Sequence, residues 1–231
     1  VPGLVRGAAP EIDVERLVAE LRGFLARARR PEWLEGHVDA PYRRLVDIAF
    51  SGNGEPTTSH QLCEIVARVL AVLDDEGLQG LGKVLITNGS MMHRPEVQQA
   101  VRRLGEAGGE VWYKLDSATA LGRRAINDAA SSPRAARAGL RTCASLCRTR
   151  IQTCVIAIDG QPPSETEQAA YLAFLTEELG IGTPIADVLL YGMARPSQQP
   201  GAERLSSLPA AWLEAYAERI RNVGLPVVVR A

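Results

Sequence analysis

From residue 13 to residue 229, short apolar, β-branched runs alternate with segments of helical periodicity. A parallel neighbour can be reached only by a connection long enough to run back along the sheet. This alternation therefore marks a parallel sheet joined by crossover helices. The first helix is predicted over about residues 13–30, where Val14, Leu17, Val18, Leu21 and Leu25 share one stripe and Asp13 can cap the start. Strands are predicted at 47–51, 83–87, 110–116, 151–159, 187–191 and 227–229, and further helices at 59–76, 95–107, 164–180 and 208–222. Gly77 and the pair Gly108-Gly109 act as helix stops, and Ser164 with Glu167 reads as a capping box. Segment 120–150 is predicted to be a broken helix, interrupted at Pro133 and Gly139. Six strands are fewer than the eight of a closed barrel, and the repeat fits a barrel and a doubly wound sheet equally.

A chain of 231 residues with 46% hydrophobic residues can bury one α/β core, so one domain over 1–231 is expected. Lys and Arg (26) nearly balance Asp and Glu (27), leaving no global field to attract nucleic acid or a membrane. The apolar runs are too short to span a bilayer, so no membrane partner and a cytoplasmic location are expected. The N-terminus has neither a secretory signal nor an initiator Met and reads as a cut end.

The four cysteines suit reduced thiols. Cys143 and Cys147 have the interval of a metal pair, but they sit on a predicted helix with Cys154 in the next strand. Buried thiols are expected, and no metal ligand is assigned. His37, His60 and His93 are scattered and receive no role. Residues 121–150 hold seven arginines against Asp128 alone, which reads as a solvated helix face or, alternatively, as a patch for a phosphate-bearing substrate such as RNA.

In parallel α/β folds, ligands gather at the carboxyl ends of the strands. The first strand here ends in Ser51-Gly52-Asn53-Gly54-Glu55-Pro56-Thr57. Two glycines let the backbone turn and approach a ligand, Glu55 adds a carboxylate and Pro56 stiffens the exit. Such a loop suits an ammonium group better than a phosphate. The alternative is a tight turn in which Glu55 caps a neighbour. In 111–116, period-two alternation puts Trp112, Lys114 and Asp116 on the more polar face, expected to look inward. Gln152 is a polar residue in a strand, either a ligand contact or a satisfied buried amide.

These residues resemble a family. An apolar strand running into S-G-N-G-E-P resembles the G-G-E-P motif of radical S-adenosylmethionine (SAM) enzymes, with Asn53 in place of the first motif glycine. Thr87-Asn88-Gly89 is similar to the T-N-G that often follows, and Lys114-Leu115-Asp116-Ser117 resembles the fourth-strand site. The likeness extends from about residue 13 to the end. It implies an α/β fold, a partial (β/α)6-type TIM barrel of parallel strands with the first strand missing.

By the same resemblance, SAM is held by Ser51, Gly52, Asn53, Gly54, Glu55, Pro56, Thr87 and Asn88, with Lys114, Asp116 and Gln152 from later strands. The G-G-E segment binds the methionine amino group, fourth- and fifth-strand side chains meet the ribose or carboxylate, and the last strands cradle adenine. Lys114 is placed to meet the cofactor carboxylate or to form an ion pair with Asp116 or Glu55.

The implied activity is reductive cleavage of SAM to a 5'-deoxyadenosyl radical at a [4Fe-4S] cluster, fed by an electron donor such as flavodoxin or ferredoxin, with an unknown substrate. The family's C-x3-C-x2-C loop is absent, so the cluster ligands are expected upstream and the isolated chain is expected to be inactive. No catalytic residue is assigned. The rival readings are a β/α-barrel lyase or isomerase using Lys114 and Glu55, and a non-catalytic binding module.

Overall fold

In chain order the elements are α1 (Val14–Ala28), α2 (Pro31–His37), β1 (Asp47–Phe50), α3 (Leu62–Asp75), β2 (Gly82–Thr87), α4 (Pro95–Glu106), β3 (Glu110–Lys114), α5 (Ala120–Asn127), α6 (Pro133–Leu146), β4 (Arg148–Cys154), β5 (Ala157–Ile158), α7 (Glu165–Gly180), β6 (Ile185–Tyr191), β7 (Leu205–Ser206), α8 (Ala210–Arg221) and β8 (Val227–Arg230). The computed structural model describes residues 10–52, 54–127, 132–193 and 201–230. Among these, no helix is long and apolar enough to cross a membrane.

Strand order separates the two folds that the repeat allows. The main sheet runs β1-β2-β3-β4-β6-β8, and every neighbouring pair is parallel. A doubly wound sheet reverses its order part way along. Here the order never reverses, so right-handed crossovers put the helices on one face and leave the other face concave, as in a β/α barrel. Six strands do not close it: among the described residues, β1 and β8 each pair on one side only.

The period-two expectation holds along the central strands. Val111, Tyr113, Ile151, Val188 and Leu190 are fully buried under the helices. Trp112, Lys114, Arg150, Gln152, Leu189 and Tyr191, on the opposite parity, are half-buried. Asp13 caps α1 as expected, accepting from Arg16 N at 2.9 Å. Gly77, at φ 66°, follows the end of α3.

Among the described residues, segment 120–150 holds two helices, α5 and α6, in keeping with the expected break at Pro133, which opens α6 behind Ser132, whose hydroxyl accepts from Ala135 N at 3.1 Å. Three expectations need correction. Gly139 does not break α6. It is buried, and a Cβ there would stand 2.7 Å from Gly89 O and 3.1 Å from the Tyr113 hydroxyl oxygen, so glycine is what lets α6 lie against the loop after β2. The predicted strand at 151–159 starts earlier, at Arg148, and stops at Cys154. Ala157–Ile158 then pairs antiparallel with β7, and Asp159 and Gly160 turn at φ 52° and 73°. Asp-Gly is the dipeptide that a two-residue hairpin turn favours. The capping box is half-formed: Ser164 accepts from Glu167 N at 3.3 Å, but the Glu167 carboxylate goes elsewhere, to Ser117 at 2.7 Å and to Thr119.

The arginine-rich segment is not simply a solvated face. Arg137 and Arg141 converge on Glu178, whose side chain is fully buried, at 2.8 and 2.9 Å, and Thr183 donates to the same carboxylate at 2.9 Å. Arg148 and Arg150 are paired with Glu110 and Asp187. Asp128 lies outside the described residues.

Two predictions follow from this packing. Gly to Ala inside a helix ordinarily stabilises by about 1 kcal/mol, but at Gly139 overpacking against Gly89 O should reverse the sign. Gly139→Ala should lose about 1–3 kcal/mol in urea unfolding, whereas Gly180→Ala, with open space around it, should not. Burial raises the Glu178 carboxyl, but the hydrogen bonds from Arg141, Arg137 and Thr183 outweigh it and hold the carboxyl below its usual range. A depressed folded value stabilises above the unfolded value, about 4.3 for Glu, and that contribution fades as pH falls through the folded value. Glu178→Gln should therefore cost about 1–3 kcal/mol at pH 7, toward the lower end because Arg141 is half exposed. The difference from wild type should shrink steadily below pH ~4.

Candidate functional site

The loop after β1 carries the first group of site residues. Ser51, Gly52 and Gly54 are exposed, and Gly52 and Gly54 form an isolated bridge across position 53. Asn53 itself lies outside the described residues. Nothing stands within 4 Å of where a Cβ would be on Gly52 or Gly54, so this backbone faces open space. Pro56 opens a short 3-10 turn, Pro56–Thr58, which Glu55 caps by accepting from Thr57 N at 3.1 Å.

Glu55 does more than cap. Its Oε1 also accepts from the hydroxyls of Thr57 at 2.5 Å and Thr87 at 2.6 Å, and its Oε2 accepts from Asn88 N at 2.7 Å. The carboxylate therefore pins the loop after β2 to the loop after β1. A carboxylate offers about four acceptor positions. Oε1 is crowded by three donors and Oε2 retains a free position, so the site keeps an acceptor for an ammonium group. Gly89, at φ 71°, packs so closely that a Cβ would stand 2.3 Å from the Tyr113 ring. Tyr113 donates to Ala136 O at 2.7 Å, which ties this loop to α6.

A second group forms at the ends of β3, β4 and β6. Lys114 Nζ pairs with Asp116 at 2.8 Å, and the other Asp116 oxygen accepts from Cys154 N at 2.8 Å. Of the partners open to Lys114 within the chain, the structure selects Asp116 and not Glu55. Burial works to lower the Lys114 pKa, but the Asp116 charge, together with Tyr191 and Cys154, raises it above the usual lysine value. Burial pushes the Tyr191 hydroxyl up to about 12, with Lys114 opposing, and the Cys154 thiol to about 11, with Asp116 adding to the effect.

Gln152 faces the concave side, where Trp112, Arg150, Leu189, Tyr191 and Arg230 line a cavity of about 440 Å³. Its side-chain amide makes no hydrogen bond among the described residues, so it is not a satisfied buried amide. The cavity rests on an ion-pair network. Asp187 accepts from Arg150 at 2.6 and 2.9 Å, and Glu110 accepts from Trp112 Nε1 at 2.6 Å and from Arg148 at 3.3 Å. An extra residue in β6, between the partners of Thr149 and Ile151, accompanies the Asp187–Arg150 pairing. Asp116 also borders a second cavity, about 380 Å³, with Ser117, Glu167 and Tyr171.

Arg150, Tyr191 and Arg230 were not among the expected site residues. For Arg150 the signal was the alternation Arg148, Arg150, Gln152, which puts three long polar side chains on one face of a strand whose other face carries Thr149, Ile151 and Thr153.

The chemistry of these groups is compatible with SAM: Glu55 keeps an acceptor, Lys114 is partly exposed with donors to spare, and Gln152 is unengaged among the described residues. A cluster does not fit. Among the described residues, no three His, Cys, Asp or Glu are placed to hold a metal. All four cysteines are free thiols. Burial drives the Cys143 thiol well above its usual value, and Cys147 donates to Gly109 O at 3.3 Å.

No protein-family model matches the sequence, and no curated protein matches it. Solved structures do. A radical SAM methyltransferase from Sphaerobacter thermophilus superposes over 97% of this chain with a TM-score of 0.63 at 18% identity, and this chain spans 59% of the methyltransferase's length. A domain of the pyruvate-formate lyase-activating enzyme from Bacteroides vulgatus ATCC 8482 matches 80% of this chain and 99% of that domain, with a TM-score of 0.53 at 15% identity. The chain has the fold of a partial radical SAM β/α barrel.

Proposed function

We infer that this chain is the SAM-binding barrel of a radical SAM enzyme. The observation that carries the reading is Glu55: a carboxylate at the carboxyl ends of two adjacent parallel strands, fixed by four hydrogen bonds from both loops and still able to accept from an ammonium group. In this assignment Glu55 and the backbone of Gly52 and Gly54 receive the methionine amino group, and Lys114 receives the methionine carboxylate while Asp116 steadies it. Gln152 meets a polar group of the nucleoside. When bound, SAM supplies an adenosyl carbon–sulfur bond that one-electron reduction breaks. The residues of this chain bind and orient that group and keep water away from it. The described residues do not supply a cluster site, so no electron-transfer step is assigned to them.

The lyase or isomerase reading is the weaker one. A Schiff-base or general-base lysine works best with a lowered pKa, whereas Asp116 and its neighbours raise that of Lys114. Glu55 and Lys114 also have different partners.

Calorimetric titration of the chain with SAM tests the assignment, with Glu55→Gln and Thr87→Val compared. Glu55→Gln removes the charge and sets an amide donor among donors, so it should weaken SAM binding about ten- to a hundredfold and lower stability by about 1–3 kcal/mol. Thr87→Val loosens the loop contact without removing the charge and should retain most of the affinity. Equal losses in both variants, or SAM binding untouched by Glu55→Gln, would leave Glu55 as a loop clamp alone.

A further inference from the structure

The part of the concave face that β3, β4, β6 and β8 form has an uneven charge balance. Its cations are Lys114, Arg148, Arg150 and Arg230, and its anions are Glu110, Asp116 and Asp187. Lys114 is taken by Asp116, Arg150 by Asp187 and Arg148 by Glu110. Arg230 makes no ion pair among the described residues. It sits in register with Tyr191 on the edge strand β8, at the rim of the cavity. Opposite it is Trp112, whose indole is held by its bond to Glu110, itself anchored by two arginines. A ring fixed in this way is a rigid wall for a flat group, and Leu189 and Val228 supply apolar surface beside it.

We propose that this cavity binds the substrate, and that the substrate is a flat small molecule carrying an oxyanion, a carboxylate or a phosphate, which Arg230 receives while Trp112 packs against the ring. The proposal rests on the SAM-binding reading, because it treats the cavity as the second ligand's place; Gln152, assigned above to the nucleoside, lies on its wall, where the two ligands would meet. A cationic ligand is disfavoured: it would approach Trp112 between Arg150 and Arg230. The volume, about 440 Å³, is that of a small-molecule site, within the usual range of about 300–1,000 Å³. Five inter-strand steps separate β1 from β8, each about 4.8 Å. Glu55 and Arg230 thus belong to opposite edges of the sheet, with β2, β3, β4 and β6 between them. A cationic cofactor and an anionic substrate can then occupy the same concave face without exchanging places.

Labelling with 5-fluorotryptophan gives one 19F resonance each for Trp33, Trp112 and Trp212, assigned by Trp→Phe variants. Naphthalene-2-carboxylate, 2-naphthyl phosphate and 2-naphthylmethylamine serve as probes. At least one of the two anions should shift the Trp112 resonance saturably and leave the other two unmoved, and the preferred anion identifies the oxyanion. The amine should not shift it. Arg230→Gln should weaken anion binding tenfold or more, with partial retention in Arg230→Lys and SAM affinity unchanged. The proposal is overturned if neither anion moves Trp112, if the amine binds as well as the anions, or if Arg230→Gln binds them normally. SAM titrations on the same samples keep the two readings apart: SAM binding without anion binding removes the substrate assignment alone, and anion binding without SAM binding removes the cofactor reading.

Discussion

A parallel sheet whose strand order never reverses receives all its helices on one side, and the structure depends on how the uncovered side is managed. Half of the strand residues point to a face that, among the described residues, no helix covers. Those on β3, β4 and β6 are therefore largely polar, and they pair with one another: Glu110 with Arg148 and Arg150, Arg150 with Asp187, Lys114 with Asp116. Buried side chains on the opposite parity supply the core, so the same strands serve two environments through their period of two. Such ion pairs are weak evidence for stability, because desolvation offsets much of their attraction. Their clearer effect is geometric: they hold Trp112 and Arg150 in fixed positions around an open cavity, and Lys114 beside Asp116.

The loops at the rim are controlled by a different device. Glu55 collects donors from its own turn and from the loop after β2, and that second loop is in turn trapped between Tyr113 and α6 by two close glycine contacts, at Gly89 and Gly139. Helix packing on the outer face thus reaches the rim through a short chain of contacts: α6, Gly139, Gly89 and Thr87-Asn88, then Glu55. A side chain that holds its surroundings in place and keeps an acceptor free is preorganised for an ammonium group, since little must rearrange when one arrives.

The sequence made the strands and most helices legible because their signals are local: apolar runs, caps and stops. It also singled out the Glu55 loop, through two glycines, a carboxylate and a proline at a strand end, whereas the Thr87-Asn88 loop stood out only through the resemblance of its motif. What stayed hidden depends on contacts between distant residues. Gly139 looked like a helix breaker, since its reason for being glycine lies 50 positions away at Gly89. Glu167 looked like half of a capping box, because the sequence does not announce Ser117 and Thr119 as its partners. The ending of β4 at Cys154 was missed although the Asp159-Gly160 turn was readable, because the apolar run continues past the point where the backbone leaves the sheet.

Charge is distributed along the curved sheet rather than across the whole molecule, and that is why a nearly neutral composition still permits a selective site. The formal net charge is −1, which gives no long-range steering. On the concave face, however, an acceptor end at Glu55 and a donor end at Arg230 sit on opposite sides of the Lys114–Asp116 pair. Fields from partly buried groups are screened less than those from exposed ones, so a short separation suffices to orient a ligand carrying opposite charges at its ends or to sort two ligands of opposite charge. The asymmetry arises from the alternation in the strands: each inward residue is set by the parity of its strand, and only β8 contributes a cation without a matching carboxylate among the described residues.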